Sequence, residues 1–222
     1  MYLEIKSILN LDEVRRLTEL AKQLHFVEGR LSNPANESKV NLQADLADPR
    51  HGESSQIVLA ALMRSREFRD VSLPLRIAPP LLARYEPGMK YGVHADAAHM
   101  RLPGGMLRSD LSCTVFISDP ATYEGGELTT HLGSRVLSFK GAPGDAIVYP
   151  STTLHEVRPV TAGSRLVSIT FIESTIADEQ KRDAIYELND VIALEGLSMR
   201  WENRIRLEAV RENLVRKWSS GG

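Results

Sequence analysis

Residues 143–172 read PGDAIVYPSTTLHEVRPVTAGSRLVSITFI, and this stretch decides the fold class. Three short runs stand in it: DAIVYP, TLHEVRPV and SRLVSITFI. Each is rich in β-branched or aromatic residues and too short for a typical helix. Pro143-Gly144, Pro159 and Ala162-Gly163 punctuate them as turns. The same texture extends back to about Arg76, through RIAPPLLARY, KYGVHAD, LSCTVFIS, GGELTTH and SRVLSF. Pro87-Gly88, Gly104-Gly105 and Gly125-Gly126 separate those runs. Short strands in regular succession predict a double-sheet jelly roll or barrel.

On both sides the period becomes helical. Asn10 followed by Glu13 has the form of a capping box, and Val14, Leu17, Ala21 and Leu24 follow at helical spacing. A weaker helical pattern runs from about Glu53 to Arg64. Beyond about Thr175, one stripe holds Ile185, Leu188 and Ile192; another holds Leu207, Val210, Leu214 and Trp218. Both read as packing surface, against the sheet or within a small C-terminal unit. The last four residues, SSGG, read as a frayed end. The expected organisation is mainly β with flanking α: an N-terminal flank over 1–75, a β core over 76–175 and a C-terminal helical segment over 176–222.

The 222 residues suffice for one sizeable core. Twenty-seven basic and 29 acidic side chains give a net charge of −2, so composition argues for neither nucleic acid nor an anionic membrane as partner. The single cysteine, Cys113, excludes an intrachain disulfide and sits among apolar neighbours as a buried small hydrophobe. MYLEIKSILN is a poor signal peptide because Glu4 and Lys6 interrupt it, and no apolar run reaches membrane-span length. The expected location is cytoplasmic.

The chemistry concentrates in YGVHADAAH, residues 91–99. In a strand, His94 and Asp96 point to one side, so an imidazole and a carboxylate can grip one metal ion. His155, in TLHEVRPV, supplies a third ligand from a later strand. Two histidines and a carboxylate make a facial triad that leaves coordination positions open, as a non-haem iron(II) oxygenase needs. By itself H-x-D is a weak signal, and a surface His and Asp in a turn read the same way. Arg165 strengthens it. Ten residues after His155, Arg165 shares a strand face with Val167, Ile169 and Phe171. A guanidinium on an apolar face needs an anion, and a bound dicarboxylate would supply one bidentately. The alternative is an edge arginine snorkelling to solvent.

The stretches RYEPGMKYGVHAD, DLSCTVFIS, YEGGEL and PGDAIVYPSTTLHEVRPVTAGSRLVSITF together resemble the prolyl-4-hydroxylase-like branch of the Fe(II)/2-oxoglutarate-dependent dioxygenases. Within it the chain resembles the bacterial PKHD-type hydroxylases, a group tied to iron-uptake loci. The oxygenase match covers roughly Ala78 to Ser174 and continues through SKVNLQ and the end NLVRKW. The resemblance implies a double-stranded β-helix, with His94, Asp96 and His155 as iron ligands and Arg165 on the distal carboxylate of 2-oxoglutarate. It implies that Tyr85 hydrogen-bonds the same carboxylate; a buried tyrosine satisfied by any acceptor reads equally well. It implies hydroxylation of a substrate while 2-oxoglutarate and O2 become succinate and CO2, with L-ascorbate as reductant. Catalysis then needs no residue beyond the metal centre. The substrate, whether small molecule, peptide or protein side chain, is open, and the C-terminal helices offer a surface for a homodimer. Two rival readings stand beside this one: a cupin-like metal enzyme with no use for 2-oxoglutarate, and a non-catalytic module that senses it.

Other residues are set aside. His99 reads as an exposed loop residue or a substrate contact, and Tyr91 as packing beside the metal strand. His131 reads as a solvent-facing turn residue; His25 and His51 receive no chemistry. The YEGGEL turn accounts for its glycines without making Glu124 or Glu127 ligands. Residues 97–109 read as a long polar loop, equally a lid or a connector, and SKVNLQ lies toward the substrate side by resemblance alone.

Overall fold

The runs around Pro143 form strands: Ala146–Pro150, Leu154–Val157, Val160–Gly163 and Arg165–Ser174. The computed structural model describes residues 1–34 and 36–219. Of the expected frayed end, Ser220, Gly221 and Gly222 lie outside the described residues.

Among the described residues the strands build two large antiparallel sheets, which pack as a jelly roll, and two small two-stranded ones. The major sheet runs in the order Leu3–Ile5, Ala146–Pro150, Leu111–Phe116, Arg165–Ser174, Leu81–Tyr85, Leu42–Ala44, Phe26–Glu28. Pro74–Ile77 pairs with the far end of Arg165–Ser174. The minor sheet runs Arg135–Phe139, Leu128–Leu132, Leu154–Val157, Lys90–His94, Lys39–Val40. The N-terminal flank therefore contributes strands to both sheets. These strands are two or three residues long, too short to show a period in sequence.

Alternation divides the major sheet into two faces. Leu111, Cys113, Val115, Val148, Leu166 and Ile172 join the core under the helices. Phe116, Ile147, Tyr149 and Val167 join Leu128 and Val157 of the minor sheet in a second core. Cys113 is buried, as expected.

Three helices cover the outer face of the major sheet: α1 (Leu11–Gln23), α2 (Pro49–Arg64) and α3 (Arg66–Ser72). The capping box of α1 forms as read: the Asn10 side chain accepts from Glu13 N–H, and the Glu13 carboxylate accepts from Asn10 N–H. Helix α2 starts earlier than its apolar pattern because Asp48 caps it and Pro49 occupies its first turn. Helix α3, capped by Ser65, is one short segment the sequence pattern did not show.

Helices α4 (Glu179–Glu195) and α5 (Trp201–Trp218) form the C-terminal segment. Ile185 of α4 is fully buried, but no residue of α5 is. The expected α5 stripe is thus only half-covered, with Val210 exposed. Among the described residues, no helix is long and apolar enough to cross a membrane.

Residues 97–109, expected as an irregular loop, are largely a β-hairpin. His99–Leu102 pairs with Gly105–Arg108 around the Pro103-Gly104 turn. Ser109 N–H donates to the Ala98 carbonyl and closes its base.

Candidate functional site

A cavity of about 800 Å³ opens between the sheets. His94, Asp96 and His155 line it, and one potential ligand atom from each lies within 4.8 Å of the others. His94 closes the Lys90–His94 strand and faces His155 in register across the minor sheet. Asp96 departs from the expectation of one continuous strand. The strand ends at His94, and Asp96 sits two residues beyond it, its N–H donating to the Ser151 carbonyl at 3.3 Å.

Both imidazoles are fixed in one tautomer. His94 Nδ1–H donates to the Gly92 carbonyl at 2.7 Å and His155 Nδ1–H to the Thr153 carbonyl at 2.9 Å. A carbonyl only accepts, so in the neutral form of each ring the lone pair lies on Nε2. His94 Nε2 stands 3.8 Å from Asp96 Oδ1, and His155 Nε2 stands 3.7 Å from Asp96 Oδ2. Burial, then the neighbouring His155, pull the His94 imidazole down to about 4, so it is neutral near pH 7. Tyr91 stacks on His94 at 3.6 Å and accepts from Asn33, the packing role expected for it. Tyr149 packs edge-on against His155.

Asp96 is held from the major sheet. Ser112 Oγ donates to Asp96 Oδ2 at 2.6 Å and accepts from Ser151 Oγ at 2.8 Å, which accepts in turn from Ser109 Oγ at 2.8 Å. Ser112 escapes sequence reading because a serine in an alternating strand is unremarkable on its own.

Arg165 occupies the opposite wall. It is 1% exposed, and its Nε and Nη1 are buried without an acceptor. The snorkelling alternative is therefore wrong: the side chain turns inward, on the face of Ile169 and Phe171, which also line the cavity. Tyr85 is its cross-strand partner, with the guanidinium carbon 5.0 Å from the ring centroid. Burial raises the Tyr85 phenol to about 12, so it keeps a proton to donate. Gly126 makes room for Arg165. A Cβ there would come 2.9 Å from Arg165 Cδ, and its φ of +69° disfavours other residues. The YEGGEL glycines thus shape the site as well as the turn.

The remaining residues sort as follows. His99, exposed, begins the hairpin and lines the cavity mouth. His131 corrects its solvent-facing expectation: it lies half-buried in a strand, 3.6 Å from Glu156. His25 is exposed beside Asp45. His51 and Lys39, both buried, line the cavity; His51 was given no chemistry in sequence, whereas Lys39 belongs to SKVNLQ, which the resemblance placed toward the substrate side.

The family model of the 2OG-Fe(II) oxygenase superfamily matches residues 80–173. A PKHD-type hydroxylase of Sphingopyxis alaskensis is 52% identical over 97% of this chain and 98% of its own. One from Gluconacetobacter diazotrophicus is 37% identical over 98% and 99%. A prolyl hydroxylase of Trichoplax adhaerens, solved with a hypoxia inducible factor peptide, superposes with a TM-score of 0.60 at 14% identity, covering 83% of this chain and 86% of its own. A Pseudomonas putida prolyl-4-hydroxylase gives 0.56 at 16% identity, covering 78% and 92%. At such identities the solved structures speak for the fold alone.

Proposed function

The chain belongs to the PKHD-type hydroxylases of the 2OG-Fe(II) oxygenase superfamily, and from that premise we propose that His94, Asp96 and His155 hold the iron and Arg165 anchors 2-oxoglutarate. One juxtaposition carries the reading. Three potential ligand atoms converge within 4.8 Å on a cavity whose other wall buries a guanidinium with two open donors.

The donor set fits iron(II). Two imidazoles whose Nε2 atoms make no hydrogen bond and one carboxylate make a facial triad. The buried arginine fits a carboxylate, because an isolated buried cation is costly and Arg binds carboxylates in a bidentate fork. When iron(II) is bound, the chemistry it supplies is oxidation of the substrate to an alcohol while 2-oxoglutarate and O2 become succinate and CO2.

The chain's own residues do the rest. The Nδ1 hydrogen bonds of His94 and His155 aim their Nε2 atoms at one point. Ser112 fixes the rotamer of Asp96. Arg165 and the protonated Tyr85 orient the distal carboxylate of 2-oxoglutarate, and the two sheets keep bulk water from the reacting groups. No general acid or base is required. The cupin-like rival, which leaves Arg165 unused, is set aside by the relatives.

L-ascorbate as reductant and a link to iron uptake belong to the proposal on the family resemblance. So do a core spanning 76–175 and a homodimer through the C-terminal helices.

The test is succinate formation from 2-oxoglutarate after anaerobic loading with iron(II), then exposure to O2 with ascorbate. Slow uncoupled turnover is expected, absent in His94→Ala. Arg165→Ala should need about 30-fold or more 2-oxoglutarate, the cost of removing one partner of a buried charged pair. A correctly loaded protein that does not bind 2-oxoglutarate at all would sink the reading. One that binds it and never turns it over, with any substrate offered, would favour the sensing module.

A further inference from the structure

The charges around the cavity do not balance once its proposed contents are in place. Asp96 is the only carboxylate among the described residues lining it, against three basic side chains: Lys39, Arg101 and Arg165. A divalent metal ion and the dianion of 2-oxoglutarate cancel each other, and Asp96 offsets one of the two buried cations, Lys39 and Arg165. Arg101 is exposed on the hairpin and needs no partner. One buried cation is left over.

Lys39 is 7% exposed. Its ammonium group donates to Ser32 Oγ at 2.6 Å and sits 5.3 Å from the Tyr91 ring centroid. No salt bridge reaches it among the described residues, and the one charge that acts on it is the more distant carboxylate of Asp96. Three ammonium protons with one neutral acceptor leave a buried charge poorly compensated. Its place is informative too. Lys39 lies opposite Tyr91 in the minor sheet, and Tyr91 stacks on His94. Arg165 stands in the major sheet, opposite Tyr85. The two buried cations thus belong to different walls of one cavity.

The cavity is also larger than its co-substrate needs. Its volume of about 800 Å³ falls in the range that holds drug-sized ligands, whereas 2-oxoglutarate has ten non-hydrogen atoms. The cavity lining includes the apolar side chains of Leu46, Pro79, Leu81, Met100 and Leu102.

We propose that Lys39 receives a carboxylate of the hydroxylated substrate, whose remaining body is largely apolar. A monoanion matches the single charge left over; a phosphate monoester would bring nearly two. The inference rests on the assignment of Arg165 to 2-oxoglutarate. Lys39 is then the residue that selects the substrate, with the carboxylate belonging either to a free acid or to a peptide side chain.

The test uses the full chain loaded with manganese(II) and saturated with N-oxalylglycine, an unreactive 2-oxoglutarate analogue. Paramagnetic relaxation of probe protons reports binding near the metal without turnover. The probes are phenylacetate against phenylacetamide, and an end-capped Phe-Asp dipeptide against its Phe-Asn counterpart. Each acid is expected to bind about tenfold or more tighter than its amide where its source fits, as a charge-assisted hydrogen bond at a buried site requires. The first pair reports a free acid and the second a side chain. The preference should vanish in Lys39→Met and survive in Lys39→Arg. Equal binding of acid and amide in both pairs in the wild type, which involves no variant, overturns the proposal. So does a preference that persists in Lys39→Met, or loss of N-oxalylglycine affinity in Lys39→Met, which would give Lys39 to the co-substrate. Failure of the parent assignment looks different: N-oxalylglycine would bind equally well to wild type and Arg165→Met, and the proposal would fall with it.

Discussion

The two sheets of this jelly roll are built to different standards. The major sheet is buried on both faces: helices α1, α2 and α3 seal the outer one and the minor sheet the inner. The minor sheet is covered on one face only, and Val93, Val136 and Leu154 stand about half-exposed on the other. The functional groups divide along the same line. The three proposed metal ligands come from the thin sheet or the turn beyond it; Arg165, Tyr85 and Ser112 come from the thick one. The thick sheet thus provides a rigid reference, and it reaches across to hold Asp96 through Ser112. Two sheets of unequal depth define one site because each fixes a different part of it.

The largest effect that would break this comparison lies in the thick sheet. Ile172, fully buried under the helices, should cost about 2–5 kcal/mol on Ile172→Ala, read as a shift in the urea midpoint. A loss below about 1 kcal/mol would mean the helical cover is loose. The next effect sharpens the link between the sheets. Ser112→Ala removes the donor to Asp96 Oδ2 and should weaken divalent-metal affinity about 10–100-fold. The check is competitive titration, and the cobalt(II)-loaded protein should show an altered d–d spectrum. An unchanged affinity would reduce Ser112 to a core hydroxyl.

A smaller effect concerns the helical cover itself. The Arg64 guanidinium, then the Asn10 N–H, hold the Glu13 carboxyl below its ordinary range. A depressed folded-state value means stability that is present above the unfolded value of about 4.3 and is lost as pH falls through the folded one. Glu13→Gln keeps the cap bond and loses the charge. Because the pair is largely solvent-screened, the expected cost is about 0.5 kcal/mol near pH 7, vanishing in acid. A deficit that persists at low pH would assign the effect to packing. The smallest effect belongs to the thin sheet. Leu154→Ala, at a site 51% exposed, should change stability by less than about 0.5 kcal/mol. A loss of several times that would show the outer face to be covered in solution.

What was legible in sequence follows the same physics. The strands of both cores carry enough apolar residues to show their period, and α1 announces itself through Asn10 and Glu13. The two- and three-residue strands of the N-terminal flank carry no period, and the hairpin at His99–Arg108 hides behind Pro103 and two glycines. The proposed metal ligands and Arg165 stood out because their types are costly or purposeless elsewhere. Asp96 was identified for a partly mistaken reason, since it lies beyond the strand that was to aim it. Ser112 stayed invisible, and Lys39 was placed toward the substrate side by resemblance alone, because their meaning depends on burial and on neighbours far along the chain.

Arg165 has a consequence beyond catalysis. On the proposed reading, the folded chain encloses two N–H groups without acceptors until a dicarboxylate arrives, while the unfolded chain solvates them freely. Ligand that binds only the folded form adds to its stability, by about 2.7 kcal/mol at a hundred times Kd. Resistance to proteolysis should therefore rise with 2-oxoglutarate. The supply of that metabolite would govern how long the protein persists as well as how fast it turns over.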